Sequence, residues 1–341
     1  MKKIYSLIAG LMLAGAATQA LAVDVSFNGV IREYLETDDI NGGVASANNH
    51  PGVKLTNFTS KFIVKAVEPL NDVSPGLKLK AEIATEFFMD NPTNNSTYEA
   101  PLYRQNQIGN NKSVVGVAND WYSLEFGRKG HMIWWAEADF DALDDFQGTG
   151  MGEVHSRQGL RFNNGIFANV NLTPEIKLTY ETELSEQQNV SNPYDVAVTY
   201  NNGKAEVRAI HFDRRNGLNQ SEVLAGSYTF PTNTQVLVEY SHDKAMNWAT
   251  MLPMTTNGYS IGAKQPFGGK WLGRAQVGYR DDGVYVYTAG VDYQATRNVA
   301  VVARVNHTEA DHQIYMTIPV DFQGAVGTSR TNLSAGVEFY F

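Results

Sequence analysis

From Asp24 onward, hydrophobic and polar positions alternate along most of the chain. In "VYVYTAGVDYQA", Tyr285, Tyr287, Ala289, Val291 and Tyr293 share one face, and Val286, Thr288, Gly290, Asp292 and Gln294 share the other. In "WLGRAQVGYR", Trp271, Ala275, Val277 and Tyr279 oppose Arg274, Gln276 and Arg280. "YDVAVTY", "QVLVEYSHD" and "VAVVARVNH" repeat the pattern. Successive side chains of a strand point to opposite faces, so a period of two with one apolar face predicts strands that each bury one side.

Short turn clusters punctuate the alternation: "NDVSPG" at 71–76, "NDW" at 119–121, "NNGK" at 201–204, "FPTN" at 230–233, "PFGG" at 266–269 and "ATRN" at 295–298. Longer polar stretches lie between them, at 37–53, 90–106, 130–156, 185–193, 213–221, 243–257 and 307–330. Short turns alternating with long loops predict an up-and-down meander with one tight end and one elaborated end. Sixteen strands are expected, starting near residues 24, 54, 77, 106, 121, 157, 165, 194, 204, 222, 234, 257, 271, 284, 299 and 330. Between 157 and 183 the sequence allows more than one turn position. About 20 residues per strand and connector suits tilted membrane strands of ~10 residues. No linker or composition shift divides the chain, so one domain is expected.

A soluble sandwich also alternates, so the polar face has to decide between sandwich and barrel. It carries many long charged side chains, among them Lys61, Lys65, Lys78, Lys80, Glu82, Glu86, Arg274, Arg280 and Arg304. The sequence ends "LSAGVEFYF", with Leu333, Ala335, Val337, Phe339 and Phe341 on one face. Both features favour an all-β fold, a 16-stranded antiparallel transmembrane β-barrel with its apolar face toward lipid.

Composition supports export. "MKKIYSLIAGLMLAGAATQALAVDVSF" has Lys2 and Lys3, an apolar run from Ile4 to Ala17, and Ala20-Leu21-Ala22 as a small-x-small cleavage site. Residues 1–22 are therefore expected to be a signal peptide, leaving 23–341 as the barrel domain. No other apolar run reaches the ~20 residues of a spanning helix. With no cysteines, disulfides add nothing to stability. Without Lys2 and Lys3 the chain holds 25 basic against 36 acidic residues, a formal charge of −11. That acidity argues against nucleic acid as a partner and against a polybasic membrane anchor.

Several stretches together resemble the general (diffusion) porins of Gram-negative outer membranes. They are "VSFNGVIREY", "SKFIVKAVEPLND", "GLKLKAEIATEFF", "WYSLEFGRKG" and "RQGLRFNN", taken in order with the final Phe341. The resemblance covers essentially the whole length after residue 22. It implies a sixteen-stranded barrel in the outer membrane, reached through the periplasm and usually a homotrimer, that passes ions and small hydrophilic solutes by diffusion. It also implies contact with outer-membrane lipids and lipopolysaccharide, and a final Phe341 read by the barrel-assembly machinery. In trimeric relatives the second loop latches a neighbour, here residues 90–104.

"GHMIWWAEADFDALDDFQGTGMG" stands where such porins fold their third loop, about 130–152, into the channel. Glu137, Asp139, Asp141, Asp144 and Asp145 would then face basic wall residues, for which Arg32, Lys61, Lys65, Arg128, Arg157 and Arg161 are the candidates. A loop at membrane depth is tolerated only where it lines water. Charges on a narrow lumen with low-dielectric walls are weakly screened and sort ions. An acidic loop and a negative chain imply modest cation preference. Two departures from the family pattern stand out. "DFQGTGMG" replaces the usual Pro-Glu-Phe-Gly-Gly run, and Asn111, Lys112 and Ser113 occupy the place where a wall arginine is common.

Trp134 and Trp135 have two readings, stacking on sugar rings in an oligosaccharide-selective channel or packing the loop against the wall. Large aromatics favour packing. The carboxylates do not have the glycine and distal glutamate at EF-hand spacing, so no metal site is expected, and a divalent cation in the lumen is the weak alternative. His131, His155, His211, His242, His307 and His312 are scattered, and sequence adjacency of His155 and Ser156 does not orient a base on a nucleophile. No enzyme activity or cofactor is expected. A barrel-borne hydrolase or adhesin is the less favoured alternative.

Overall fold

The alternation is realised inside out relative to a soluble protein, with apolar side chains outward and polar ones inward. The computed structural model describes residues 23–41, 53–56, 60–87, 108–143, 154–155, 161–185, 191–214, 220–247, 252–316 and 325–341. The expected signal peptide lies outside them. The first six strands are β1 (Asp24–Asn41), β2 (Val53–Thr56), β3 (Ser60–Pro69), β4 (Lys78–Phe87), β5 (Lys112–Ala118) and β6 (Tyr122–Gly130). A helix follows, α1 (Met132–Phe140). Then come β7 (Arg161–Asn171), β8 (Ile176–Glu183), β9 (Tyr194–Asn201), β10 (Ala205–Asp213), β11 (Gln220–Thr229) and β12 (Gln235–Asn247). The last five are β13 (Leu252–Phe267), β14 (Trp271–Arg280), β15 (Val284–Thr296), β16 (Val299–Met316) and β17 (Ala325–Tyr340). Among the described residues no helix is long and apolar enough to cross a membrane.

Consecutive strands from β3 to β17 pair antiparallel, and β17 returns to β1 from Val30↔Tyr340 to Asn41↔Ser329. The other edge of β1 pairs with β3 over Asp24–Val30 and with β2 over Tyr34–Thr37. β2 and β3 therefore share one position, and the closed barrel has sixteen. Closure satisfies the backbone without a free edge, which a strand protein in lipid requires. At the seam, Gly29 and Phe341 exchange N–H···O bonds of 3.0 and 3.1 Å. A Cβ on Gly29 would fall 2.3 Å from the Phe341 ring, so the terminal aromatic has room only beside glycine.

Outward positions are apolar and exposed, as at Leu35, Val277, Leu333 and Val337, whereas their neighbours Glu36, Gln276, Ser334 and Glu338 are buried inside. Aromatic girdles mark both ends of this band. One runs through Phe267, Trp271 and Tyr293, with ring centroids 6.3 and 4.6 Å apart. The other runs through Tyr240, Tyr259, Tyr279 and Tyr285, at 5.3, 6.4 and 4.9 Å. Amphipathic rings at both interfaces are the expected boundary of a lipid-facing barrel.

The expected strand starts near 157 and 165 are corrected by the structure. β7 runs unbroken through Asn163-Asn164-Gly165, and the turn lies at 172–175. Asn164 has φ of 50°, and the register slips between Gly127 and Lys129, so the turn-like "NNG" is spent on a β-bulge. The true turn is capped by the Thr173 hydroxyl, which accepts Glu175 N–H at 3.2 Å and Ile176 N–H at 3.0 Å. One connection at the elaborated end is short: residues 281–283 join β14 to β15, with Gly283 at φ 90°.

Candidate functional site: the inward third loop

β6 ends at Gly130, and the chain turns into the lumen through one buried carboxylate. Asp195, on the inward face of β9, accepts the Met132 backbone N–H at 2.7 Å, and the same oxygen lies 3.0 Å from His131 Nδ1. A carboxylate at the first turn of α1 satisfies an otherwise orphan N–H and opposes the positive end of the helix dipole. The His131 ring stacks between Phe162 and Phe212, with centroids 5.0 and 5.2 Å away.

The barrel wall facing α1 is not polar. Ala197 on β9, Ile210 and Phe212 on β10, Val223 and Ala225 on β11 and Leu237 on β12 are buried inward positions. They form one cluster with Met132, Ile133, Ala136 and Phe140 of α1. These strands are apolar on both faces because one meets lipid and the other meets the loop, the pattern of a sheet covered on both sides. That doubled apolar character is the sequence signal for the docking surface, and it is invisible where only a one-sided alternation is sought.

Beyond α1 the loop spans to the far wall. The Ala142 N–H donates to Gln276 Oε1 at 2.5 Å, and Arg274 Nη1 donates to the Ala142 carbonyl at 3.0 Å, both from β14. Val154 packs with Val284, Val286 and Ala310. His155 Nδ1 is 2.9 Å from Ser241 Oγ, and its Nε2 is 3.2 Å from Ser260 Oγ and 3.7 Å from Glu239. Small residues on the inner face of β13 make room for this crossing. A Cβ on Gly258 would lie 2.5 Å from the Val154 carbonyl oxygen and 2.8 Å from His155 Nδ1, and one on Gly262 would lie 3.0 Å from the Ala142 methyl. The loop is thus folded inward and pinned at its root, middle and far end.

The expected site residues fall in different places. Trp134 and Trp135 meet edge to face at 4.5 Å, and Trp135 Nε1 donates to the Gly130 carbonyl at 2.9 Å. Trp134 faces the wall, 6.0 Å from Lys61 Nζ and 5.7 Å from Arg161 Cζ. Asp139 is exposed and accepts Arg208 Nη2 at 2.8 Å. Asp141 is buried and accepts the Leu143 N–H at 2.8 Å. Asp144, Asp145, Arg157 and the Glu137 side chain lie outside the described residues.

Arg32, Lys61, Lys65 and Arg161 each lie beside a wall carboxylate. Lys61 and Arg161 approach Glu86 at 3.6 and 3.2 Å, Lys65 approaches Glu82 at 4.0 Å, and Arg32 approaches Glu338 at 3.5 Å. Arg128 pairs in register with Ser113 on the face of Phe126, and its Nε donates to the Asn110 carbonyl. Lys129 takes the lumen position, 3.3 Å from both Glu125 and Glu181. Lys112 also turns inward, 2.9 Å from Glu82, so the strand without a wall arginine still supplies a cation. Asp195, Arg208, Arg274 and Gln276, which hold the loop, were not singled out as site residues from sequence.

The sequence also matches a known family. The model for Gram-negative porins aligns with residues 7–313. The chain belongs to the Gram-negative porin family. No curated protein sequence matches it. Among solved structures, the anion-selective porin from Comamonas acidovorans superposes with a TM-score of 0.72 at 17% identity, covering 94% of this chain and 100% of that one. Outer-membrane expressed OmpT of Vibrio cholerae gives 0.66 at 15%, covering 95% and 99%. A trimer form of in-vitro folded OmpT gives 0.65 at 15%, covering 94% and 100%. At these identities the likeness is one of fold, and it is the family match that supports an outer-membrane porin channel.

Proposed function

We propose that this porin is a water-filled, non-enzymatic channel for passive diffusion of ions and small hydrophilic solutes, narrowed by its third loop. The observation that carries this reading is the loop's anchorage at lumen-facing side chains of β9, β10 and β14, which holds it across the channel at fixed depth. Asp139, Glu137, Asp144 and Asp145 supply negative charge on the loop, and Arg32, Lys61, Lys65 and Arg161 supply positive charge on the wall. The wall carboxylates Glu82, Glu86 and Glu338 moderate that field and keep the selectivity weak.

The homotrimer reading rests on the outer surface. Aromatic rings mark the loop-end girdle from β12 to β15, whereas outward positions on β17, β1, β4 and β5 are Leu333, Leu35, Ile83 and Val115. These outward apolar side chains suit contact with a second copy, and one structural neighbour has a trimer form. The test is single-channel recording in a planar bilayer under a salt gradient. Closure in three equal steps with a reversal potential on the cation side is expected, and Asp139→Asn should move that potential toward anions. A silent membrane with folded protein would overturn the channel.

The tryptophans act by packing, since the Trp135 N–H is used by Gly130 and Trp134 is wedged toward Lys61 and Arg161. Replacing both with Ala should raise conductance and leave the effect of added maltooligosaccharide on current unchanged. Loss of a sugar block in that variant would favour the oligosaccharide channel. The His155, Ser241 and Glu239 grouping has triad chemistry, yet all three side chains are buried and the Val154 backbone lies against the site. A nucleophile there has no room for a substrate, so we assign the group to anchoring.

A further inference from the structure

The inward face of β3–β5 is unevenly charged along its length. Lys61 and Lys65 on β3, Lys78 and Lys80 on β4 and Lys112 on β5 stand there with two carboxylates, Glu82 and Glu86. Lys61 pairs in register with Glu86 and Lys65 with Glu82. Lys78 and Lys80 follow at the alternate positions of β4, on the face opposite the exposed, outward Leu79 and Ile83. Both carboxylates are engaged away from the tight turns. Glu86 lies 3.6 Å from Lys61 and 3.2 Å from Arg161, and Glu82 lies 2.9 Å from Lys112 but 4.0 Å from Lys65. Lys78 and Lys80 are exposed beside the turns at 70–77 and 119–121. Among the described residues neither lysine pairs with a carboxylate, those of Asp72 and Asp120 in the adjoining turns included. Across the wall, Asp24 on β1 and Glu125 on β6 are each two strand positions from Lys80, and Glu125 already meets Lys129 at 3.3 Å.

We propose that Lys65, Lys78 and Lys80 form a docking patch for small multivalent oxyanions, such as phosphate-bearing solutes, at the tight-turn mouth, a proposal that rests on the channel reading above. Diagonal neighbours on adjacent strands lie roughly 7–8 Å apart, and positions two apart on one strand ~7 Å apart. Three ammonium groups on flexible four-carbon stems can therefore converge on one multivalent anion, whereas a monovalent carboxylate answers one of them at a time. The patch faces the lumen, out of reach of lipid headgroups, so the phosphate it meets is a dissolved one. Low-dielectric walls weaken the screening of its charge. It concentrates such anions at this mouth without adding a charge to the constriction.

Inorganic pyrophosphate tests the proposal on the full chain, with acetate at equal ionic strength as control. In a planar bilayer free of divalent cations, pyrophosphate should reduce the current saturably, at lower concentration from the tight-turn side, and acetate should not. Raising potassium chloride from about 0.1 M to about 1 M should weaken the block, as screening shortens. Lys78→Gln combined with Lys80→Gln should raise the half-blocking concentration about tenfold and remove the difference between the two sides. Lys78→Arg with Lys80→Arg keeps the charge and should keep the block, and Lys78→Gln alone serves if the double Gln variant does not fold. Calorimetric titration of pyrophosphate into detergent-solubilised protein reads binding without current. A conducting channel indifferent to pyrophosphate, blocked equally from both sides, or blocked as before in the Gln variant overturns the patch and leaves the channel. A silent membrane, with pyrophosphate bound by the wild type and not by the Gln variant, overturns the channel and supports the patch.

Discussion

Asp195→Ala should loosen the root of the third loop and lower the stability of the folded barrel by about 3 kcal/mol, the scale for removing one partner from a buried polar pair. Asp195 is fully buried and serves two donors from one oxygen, His131 Nδ1 and Met132 N–H. Without it, His131 stays sandwiched between Phe162 and Phe212 with its Nδ1 facing a void, and α1 loses the anion at its N-terminus. The apolar face of α1 still holds to β9–β12, so the loop is expected to fluctuate about its far anchors rather than leave the lumen. Recordings should show larger unit conductance with added open-channel noise, and the denaturation midpoint on heating should fall. Asp195→Asn keeps an acceptor for Met132 and should lie between. Wild-type conductance and stability in the alanine variant would mean that packing, not the buried carboxylate, sets the loop's position.

The same carboxylate shows where sequence reading stops. Alternation and turn chemistry are local, so strand identity along β9 to β17 was legible from stretches such as "YDVAVTY" and "VYVYTAGVDYQA". Two turn-like signals competed between 157 and 183, and the choice was made by the partner strand. "NNG" bulges opposite β6, whereas Thr173 caps the real turn. Strands also extend further at the elaborated end than expected. β13 starts at Leu252 and β17 at Ala325, because beyond the lipid band a strand needs no apolar outer face and the pattern that revealed it disappears.

The loop's inward course was legible from its two tryptophans, its carboxylates and the family resemblance. Its anchors were not, since Asp195, Arg208, Arg274 and Gln276 are separated from their loop partners by dozens of residues. The wall charges divide in the same way. That Lys61 and Lys65 share a face follows from alternation, but Glu86, the partner that Lys61 shares with Arg161, follows only from register. Among the described residues, loop and wall charges also meet partners of their own. Arg208 answers Asp139 on the loop's own side, and carboxylates are interleaved among the wall cations.

Gly258→Val should release the far end of the loop without touching a charge. On β13 the inward positions Gly258, Ser260 and Gly262 form a shallow trough that admits Val154, His155 and Ala142. A Cβ at 258 would sit 2.5 Å from the Val154 carbonyl oxygen and 2.8 Å from both His155 Nδ1 and Ser241 Oγ, so backbone or latch must move. The barrel strand is held by ladder bonds on both edges, to β12 and β14, and the latch by a few side-chain bonds. The latch should therefore yield. Overpacking of this kind costs about 1–3 kcal/mol where nothing can shift, and displacement of 154–155 relieves it. The expected result is higher conductance with a reversal potential close to wild type, because no ionised group is added or removed. Ser260→Ala in the same recordings removes one hydroxyl from His155 without adding bulk and should move conductance less. A Gly258→Val channel of wild-type conductance would show that the crossing segment is placed from its root alone, and that the β13 trough accommodates the loop without positioning it.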